Sequence, residues 1–418
     1  MTPTPDTASR LPRSMRALRH RNFRFYFFGQ AISVVGSWIQ QVAMSWLVYR
    51  LTGSAALLGI TAFCALVPQL VVGPLAGAWI DRHDKKKWLV IVQGLLALQG
   101  LVLAYLTWTG QVTSGFLILM SLTLGLLNSF DTPLRQSLIG SFIGRRDDLP
   151  NALALNALLF NIGRSIGPPI AGLLVGLTSE AACFAINGLS FLALMTGVIF
   201  IDVPAPPRAS GSMRDVFSEG VHYAWHTWPV RTLILTLIAV NLTASAYAVL
   251  LPVFAKDVFA GDSTTLGWLW GAAGWGSLVS TLVLATRKSD PEIVSALING
   301  IVISAASIIL FSLSSIWPVA MVAMAGLGAG LSVCNVGINM LLQSMAPEAL
   351  RGRVVSFFSS ARFGFDAIGG LLAGFIATFV GARQTLLAEG LVLLLFIAFL
   401  LTRRARLRVT VSENNRHR

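Results

Sequence analysis

Three ionisable residues stand where a strongly apolar chain would carry none. Arg164 lies deep inside one hydrophobic segment, and Arg362 and Asp366 lie inside another. A charge at mid-membrane depth costs about 2.5–3.5 kcal/mol on insertion scales, so such residues face a cavity or a partner. Asp366 is the one carboxylate near the middle of any segment. Asp131 closes a different segment, and Glu389 lies close to the end of the last one, where it is expected to snorkel to the surface. An aspartate at the depth of Asp366 either pairs permanently, with Arg362 four residues earlier as partner, or exchanges a proton as its surroundings change. Arg164, Arg362 and Asp366 are therefore proton-coupling candidates, with a purely structural role at a helix seam as the alternative. Polar side chains also recur at helical spacing: Asn335, Asn339 and Gln343; Gln30, Ser33, Ser37 and Gln41, with Gln40 beside them; Asn241 and Ser245. Such stripes either line a cavity or hydrogen-bond between helices.

Other chemistry is missing from the hydrophobic segments. None carries a His/Asp/Glu metal cluster, a nucleophile–base pair or a phosphate-cradling loop, and all five histidines (His20, His83, His222, His226, His417) fall outside them. Cys64, Cys183 and Cys334 fall within segments without metal or redox spacing, as free thiols would. No metal, no cofactor and no direct ATP drive is expected. A membrane-embedded enzyme is the distant alternative.

The elements that position these residues follow from composition. Hydrophobic residues make up 55% of the chain and charged residues only 12%, against about 25% charged in soluble domains. This is an integral membrane protein. Hydrophobic runs give twelve spans, beginning near Phe25, Ser54, Trp88, Ser114, Asn151, Ala181, Thr232, Thr265, Ile293, Ile316, Val354 and Gln384. The segment after the N-terminal arginines lacks a cleavage site and is expected to be a retained helix rather than a signal peptide. Of the 31 Lys and Arg residues, 26 then fall on one side and three on the other, with Arg164 and Arg362 inside spans. The positive-inside rule puts both termini in the cytoplasm. The net charge of +13 is thus topological, a contact with membrane lipid rather than nucleic acid.

The longest loop divides the chain. A basic N-tail (1–24) precedes a six-helix half (25–202). A linker (203–230) opens on Pro204-Ala-Pro206-Pro207 and continues with Phe217, Val221, Ala224, Trp225 and Trp228 at helical spacing. That reads as an amphipathic helix on the membrane surface, with a partner-docking helix as the alternative. A second six-helix half (231–402) and a C-tail (403–418) follow. An internal repeat is visible: Arg164-Ser-Ile-Gly167-Pro-Pro-Ile-Ala171-Gly172 aligns with Asp366-Ala-Ile-Gly369-Gly-Leu-Leu-Ala373-Gly374, each in the fifth span of its half. The expected fold is all-α, with twelve transmembrane helices in two pseudo-symmetric halves. Arg164 and Asp366 should lie apart, on opposite sides of the pseudo-two-fold axis.

The stretch Gly77-Ala-Trp-Ile-Asp81-Arg82-His-Asp-Lys85-Lys86-Lys87 sits between charge-free runs of 30 residues (51–80) and 43 residues (88–130). Its pattern resembles the signature loop of the major facilitator superfamily. Leu51-Thr-Gly-Ser54, Phe130-Asp131-Thr-Pro133-Leu-Arg135-Gln136, Ala152-Leu-Ala-Leu-Asn156 and Pro347-x3-Arg351-Gly352-Arg353 resemble the branch that includes macrolide and enterobactin exporters. Gly163-x3-Gly167-Pro168-x2-Ala171-Gly172 resembles the fifth-helix antiporter signature of proton-coupled drug exporters, although the fourth span lacks the embedded arginine many of them carry.

This resemblance implies proton-coupled export of a small amphipathic molecule, siderophore or drug, by a monomer working through alternating access; a metabolite importer of the same fold is the alternative. It implies a conformational latch of Gly77, Asp81, Arg82, Lys85, Lys86 and Asp131, with Asp81 facing the start of the eleventh span and Arg82 pairing with Asp131. It also puts spans 1, 4, 7 and 10 around the substrate cavity, making Gln30, Ser37, Gln41, Asn241, Asn335, Asn339 and Gln343 cavity candidates. Trp38, Trp46 and Trp270 would suit an amphipathic substrate, with interfacial anchoring as the alternative.

Overall fold

The computed structural model describes residues 13–80, 82–144, 146–201, 225–287 and 289–416, and every long element among them is a helix. In chain order these are α1 (Arg21–Thr52), α2 (Ala55–Val71), α3 (Gly73–Ile80), α4 (Lys85–Trp108), α5 (Ser114–Ile139), α6 (Leu149–Leu177) and α7 (Glu180–Ile199). There follow α8 (Trp228–Thr243), α9 (Tyr247–Val253) with a π-helical turn at Phe254–Val258, α10 (Ser263–Leu284), α11 (Asp290–Leu313), α12 (Trp317–Met345), α13 (Glu348–Val380) and α14 (Ala382–Arg416). Among the described residues ten helical stretches are long and apolar enough to cross a membrane. The linker expected to hold an amphipathic helix lies mostly outside the described residues.

Local chemistry sets the helix ends. Ser54, Thr113 and Ser179 each accept a backbone N–H three residues on, from Leu57, Phe116 and Ala182, and so open α2, α5 and α7. Asp262 opens α10 through a capping box with Thr265. Gly53 stops α1 at φ +60°, a conformation that suits glycine. The break between α8 and α9, at residues 244–246, leaves Ser245 on a non-helical turn.

The helices are joined by two crossings of the same build. A Cβ placed on Gly172 of α6 would lie 2.5 Å from the Ser263 carbonyl oxygen of α10 and 3.1 Å from Gly267 Cα. A Cβ on Gly374 of α13 would lie 2.6 Å from the Ala55 carbonyl oxygen of α2 and 3.0 Å from Gly59 Cα. Gly172 and Gly374 are the aligned ends of the sequence repeat, and each meets a helix start and the glycine four residues later. Only glycine permits backbones this close.

Packing differs between the two ends of the molecule. At the far end, where α1 finishes, residues 39–49 of α1, Leu58, Leu103, Ala171, Val175 and Phe184 share one apolar cluster with α8–α14. At the near end, Phe23, Tyr26, Leu89, Leu138, Leu155 and Val198 form a second cluster drawn from α1, α3–α7 and their connecting turns, with no described residue of α8–α14. Among the described residues the two helix sets thus share one apolar cluster at the far end, while the near-end cluster belongs to the first set.

Gly172→Val and Gly374→Val are each expected to destabilise the solubilised protein by about 1–3 kcal/mol, the usual cost of forcing a side chain into a filled contact. Gly115→Val, where a Cβ meets nothing within 4 Å, should change little. Thermal unfolding in detergent checks this; equal shifts for all three would show that the crossings are not tight.

Candidate functional site

The central site is built where α6, α8–α9, α10 and α13 meet α1. The backbone of Arg164 lies against α10, because a Cβ on Gly274 would fall 2.4 Å from the Arg164 carbonyl oxygen. The α8–α9 break is pressed against α13, where a Cβ on Gly369 would fall 2.4 Å from the Leu242 carbonyl oxygen. These contacts bring Arg164, Arg362, Asp366, Tyr247 and Ser245 together. Arg164 and Arg362 both act electrostatically on Asp366, and Arg164 also on Arg362 and Tyr247, while the Ser245 hydroxyl donates to Asn241 Oδ1 at 3.3 Å. The expected separation of Arg164 from Asp366 therefore does not keep them independent: α6 and α13 bring both charges to one interior site.

All three charged residues are half-buried although each lies mid-helix. An aromatic wall adjoins them. Trp38 of α1 meets Trp270 of α10 edge-on, with ring centroids 5.9 Å apart, and Tyr247 lies 6.0 Å from the same Trp270. Trp270 Nε1 and Arg164 Nε are buried and have no hydrogen-bond partner. By sequence Trp38 and Trp270 stand out only as generic aromatics and Tyr247 not at all; its position one residue past the helix break is the signal that could mark it. Trp46 is buried in the far-end core.

The polar stripes divide. Gln41 and Ser37 are exposed, with the Ser37 hydroxyl bonded back to the Ser33 carbonyl at 2.8 Å. Asn339 and Gln343 are half-buried and bonded to each other at 3.0 Å. Asn241 and Asn335 are buried and join α8 to α12, with Asn241 Nδ2 donating to Asn335 Oδ1 at 3.2 Å. Gln30 is also buried, and accepts from Arg135 Nη1 at 2.7 Å. The interhelical alternative thus describes Gln30, Asn241 and Asn335. Gln40 likewise belongs to a buried chain, donating to Gln99 at 3.2 Å and accepting from Asn187 at 2.7 Å.

Arg135 corrects two expectations. Counted with the loop charges by sequence, it lies inside α5, largely buried, paired with Asp131 one turn earlier. Asp131 also accepts from Gln93 Nε2 at 2.5 Å. Arg82, expected to hold Asp131, is exposed and does not pair with it. A helical neighbour at i, i+4 reaches the buried carboxylate where a loop side chain does not. Asp81 lies outside the described residues. Of the other latch residues, Gly77 faces open space rather than a packed helix, and Lys86 Nζ donates to the Ile199 carbonyl at the end of α7, at 3.1 Å. Glu389 also departs from expectation: its Oε2 is buried without a partner, because α14 packs this region against α11 through Gly390 and Ile308.

Gly163 and Gly167 of the fifth-helix signature face α1, against Val34 and Trp38, while Gly172 faces α10; Pro168 is buried, and its carbonyl oxygen meets Gly267. One signature therefore serves two packing faces. At the far end the Tyr49 hydroxyl donates to Asp257, Lys256 sits 5.5 Å above the Tyr49 ring, and Arg50 pairs with Glu180 at 2.7 Å. Among the described residues no group of three or more His, Cys, Asp or Glu could hold a metal ion.

A helical membrane protein with an interior charged site between packed helix sets is a carrier by architecture. The chain belongs to the transmembrane secretion effector family of the major facilitator superfamily, whose model matches residues 13–418. It is 30% identical to the staphyloferrin A transporter of Staphylococcus aureus over 62% of this chain and 66% of that protein. It is 27% identical to the multidrug efflux pump Tap of Mycolicibacterium fortuitum over 88% and 92%. With the enterobactin exporter EntS of Shigella boydii it shares 24% over 91% of each. Its fold matches the crystal structure of the nucleoside transporter NupG with a TM-score of 0.70 at 14% identity, over 95% of this chain and 98% of that one. The family is one of transporters, not enzymes.

Arg135→Met strands a buried carboxylate and is expected to destabilise the protein by about 3–5 kcal/mol. Adding Asp131→Asn should recover most of that loss, whereas Arg82→Gln should stay within about 0.5 kcal/mol of wild type. A double-mutant cycle by denaturation reads the coupling; additive losses would refute the pairing.

Proposed function

We propose that this protein is a proton-coupled secondary exporter of small amphipathic organic molecules, siderophore or drug in class. It works by alternating access as a monomer in the bacterial inner membrane. One observation carries the reading: Arg164 from α6 and Arg362 and Asp366 from α13 meet at an interior site, half-buried, on helices that cross the seam between the two helix sets. Charges at this depth cost too much to be retained without use. Export is the direction of transport of the Tap efflux pump and the enterobactin exporter, to which this chain is similar.

The reading takes residues 25–202 and 231–402 as two six-helix halves. To the ten evident spans it adds α2 with α3, which together cover residues 55–80, and α10, whose 22 residues reach about 33 Å at 1.5 Å per residue. The rich Gly, Trp and Ser content of α10 keeps its hydropathy low while serving its close packing. With both termini cytoplasmic, the near end faces the cytoplasm. On this reading the halves share their apolar cluster on the outside, and the site opens inward.

Asp366 carries the coupled proton, and Ser245 on the α8–α9 break is positioned to change its surroundings as the halves rock. Broken helices at such sites are a recurrent transporter device. The loop of Gly77, Asp81, Arg82, Lys85 and Lys86 acts as the inner latch and not as part of the substrate site, with Asp131 bracing the adjoining helix end.

Asp366→Asn is expected to abolish uphill efflux driven by a pH gradient in proteoliposomes while preserving downhill exchange; wild-type uphill rates would exclude the coupling role. Asp81→Asn should impair transport but leave equilibrium binding in detergent within a few-fold of wild type. Binding lost as fully as transport, in a protein that remains folded, would refute the latch.

A further inference from the structure

We infer that the central site takes organic anions: an acidic group of the substrate held by Arg164 and Arg362, and a ring or planar portion of the same molecule laid against Trp38 and Trp270. This rests on the transport reading above and names the substrate class of that site.

Charge balance is the first ground. Two guanidiniums, which do not give up their protons in proteins, face a single carboxylate, Asp366. Even with Asp366 ionised the cluster keeps one positive charge in excess. A partly desolvated, uncompensated charge is costly, and a ligand that brings the missing negative charge relieves it. A cation entering the same space would approach Asp366 only by approaching Arg164 and Arg362 as well.

Hydrogen-bond valence is the second and independent ground. Arg164 Nε and Trp270 Nε1 are both buried, both without partners, and both can only donate. Trp270 as a residue is 6% exposed, so its indole N–H is hidden from bulk water. An unmet buried donor is relieved by an acceptor, and an ionised oxygen is the strongest acceptor available. An ammonium offers none.

Geometry ties the two grounds together. Tyr247 lies within electrostatic range of Arg164, and its ring is 6.0 Å from Trp270. Trp38 meets Trp270 edge-on at 5.9 Å, and Trp38 is the more open of the two rings. A guanidinium for the acid and an indole face for the ring therefore sit side by side. Arg164, Arg362, Trp38 and Trp270 come from four different helices on both sides of the seam, so a bound anion would bridge the helix sets.

Binding of three probes with one ring system tests this: naphthoate, naphthamide and naphthylmethylammonium, titrated by calorimetry into the purified full-length protein in nanodiscs. Naphthoate should bind at least about tenfold more tightly than either of the others, a difference of about 1.4 kcal/mol. Arg164→Gln should remove that preference while leaving naphthamide within a few-fold, and Arg164→Lys, which keeps the charge, should retain much of it. Asp366→Asn should tighten naphthoate. Tighter binding of the ammonium, no naphthoate binding, or an anion preference that survives both Arg164→Gln and Arg362→Gln would overturn the inference. Efflux from proteoliposomes separates the two claims. Gradient-driven efflux by a protein that prefers the ammonium overturns the anion site and leaves the transporter. Selective naphthoate binding without any gradient-driven flux overturns the proposed coupling and leaves the site.

Discussion

Two backbone-to-backbone contacts, α6 on α10 and α2 on α13, set where everything else in this protein can be. In a bilayer, helices gain little from excluding water, so close van der Waals approach has to do the joining. Gly172 with Gly267 and Gly374 with Gly59 supply it. Arg164 and Asp366 each lie eight residues before the crossing glycine of their own helix. At 1.5 Å per residue both charges sit on the order of 12 Å below a fixed point. The same contact that fastens the far end thus holds the two charges at one depth.

Two buried ionic clusters share this scaffold and differ in kind. Asp131 and Arg135 are one negative and one positive charge on a single helix, with Gln93 and Gln30 completing the shell. Their charges cancel, and all four residues come from α1, α4 and α5. The central cluster has two positive charges for one negative, half-buried, with members on both sides of the seam. A balanced cluster within one packed body fits a structural brace. An unbalanced one at a seam between bodies fits a site that is completed by something it binds.

Much of the fold was legible because hydropathy and charge report burial in lipid directly. Helices start close to where apolar runs start, and the repeat register held to the contact level: aligned Gly172 and Gly374 make matching contacts. What hydropathy cannot report is which side of a helix faces protein. Arg135, one turn past Asp131 near the end of α5, counted as a loop charge although its side chain folds back into the helix bundle. Glu389 looked close enough to a span end to reach water, yet its neighbour Gly390 draws that part of α14 onto α11. Gln30 and Asn241 share a face with exposed or half-buried polar residues, and only the neighbouring helices decide that they bond to Arg135 and Asn335 instead. The Tyr49–Asp257 contact joins residues more than two hundred positions apart, a distance that no local pattern can report.

The strength of the closures matters as much as their place. In the proposed cycle the far end must open, which breaks the contact of Tyr49 with Asp257 and lifts Lys256 from the Tyr49 ring. Lys256 and Asp257 are both exposed, and polar contacts of exposed side chains typically contribute no more than about 1 kcal/mol each. The Arg50–Glu180 pair joins α1 to α7 within one helix set and need not break. Opening therefore works mainly against the shared apolar packing and the glycine crossings, whose contacts are short-range and lost over a small displacement. A ligand that relieves an unbalanced charge by bridging α6 and α13 supplies a driving force at the depth where those two helices move relative to each other. The close helix crossings and the charged site are thus parts of one mechanical arrangement: the site can bias the crossings because Arg164 and Asp366 are carried by the helices, α6 and α13, that make them.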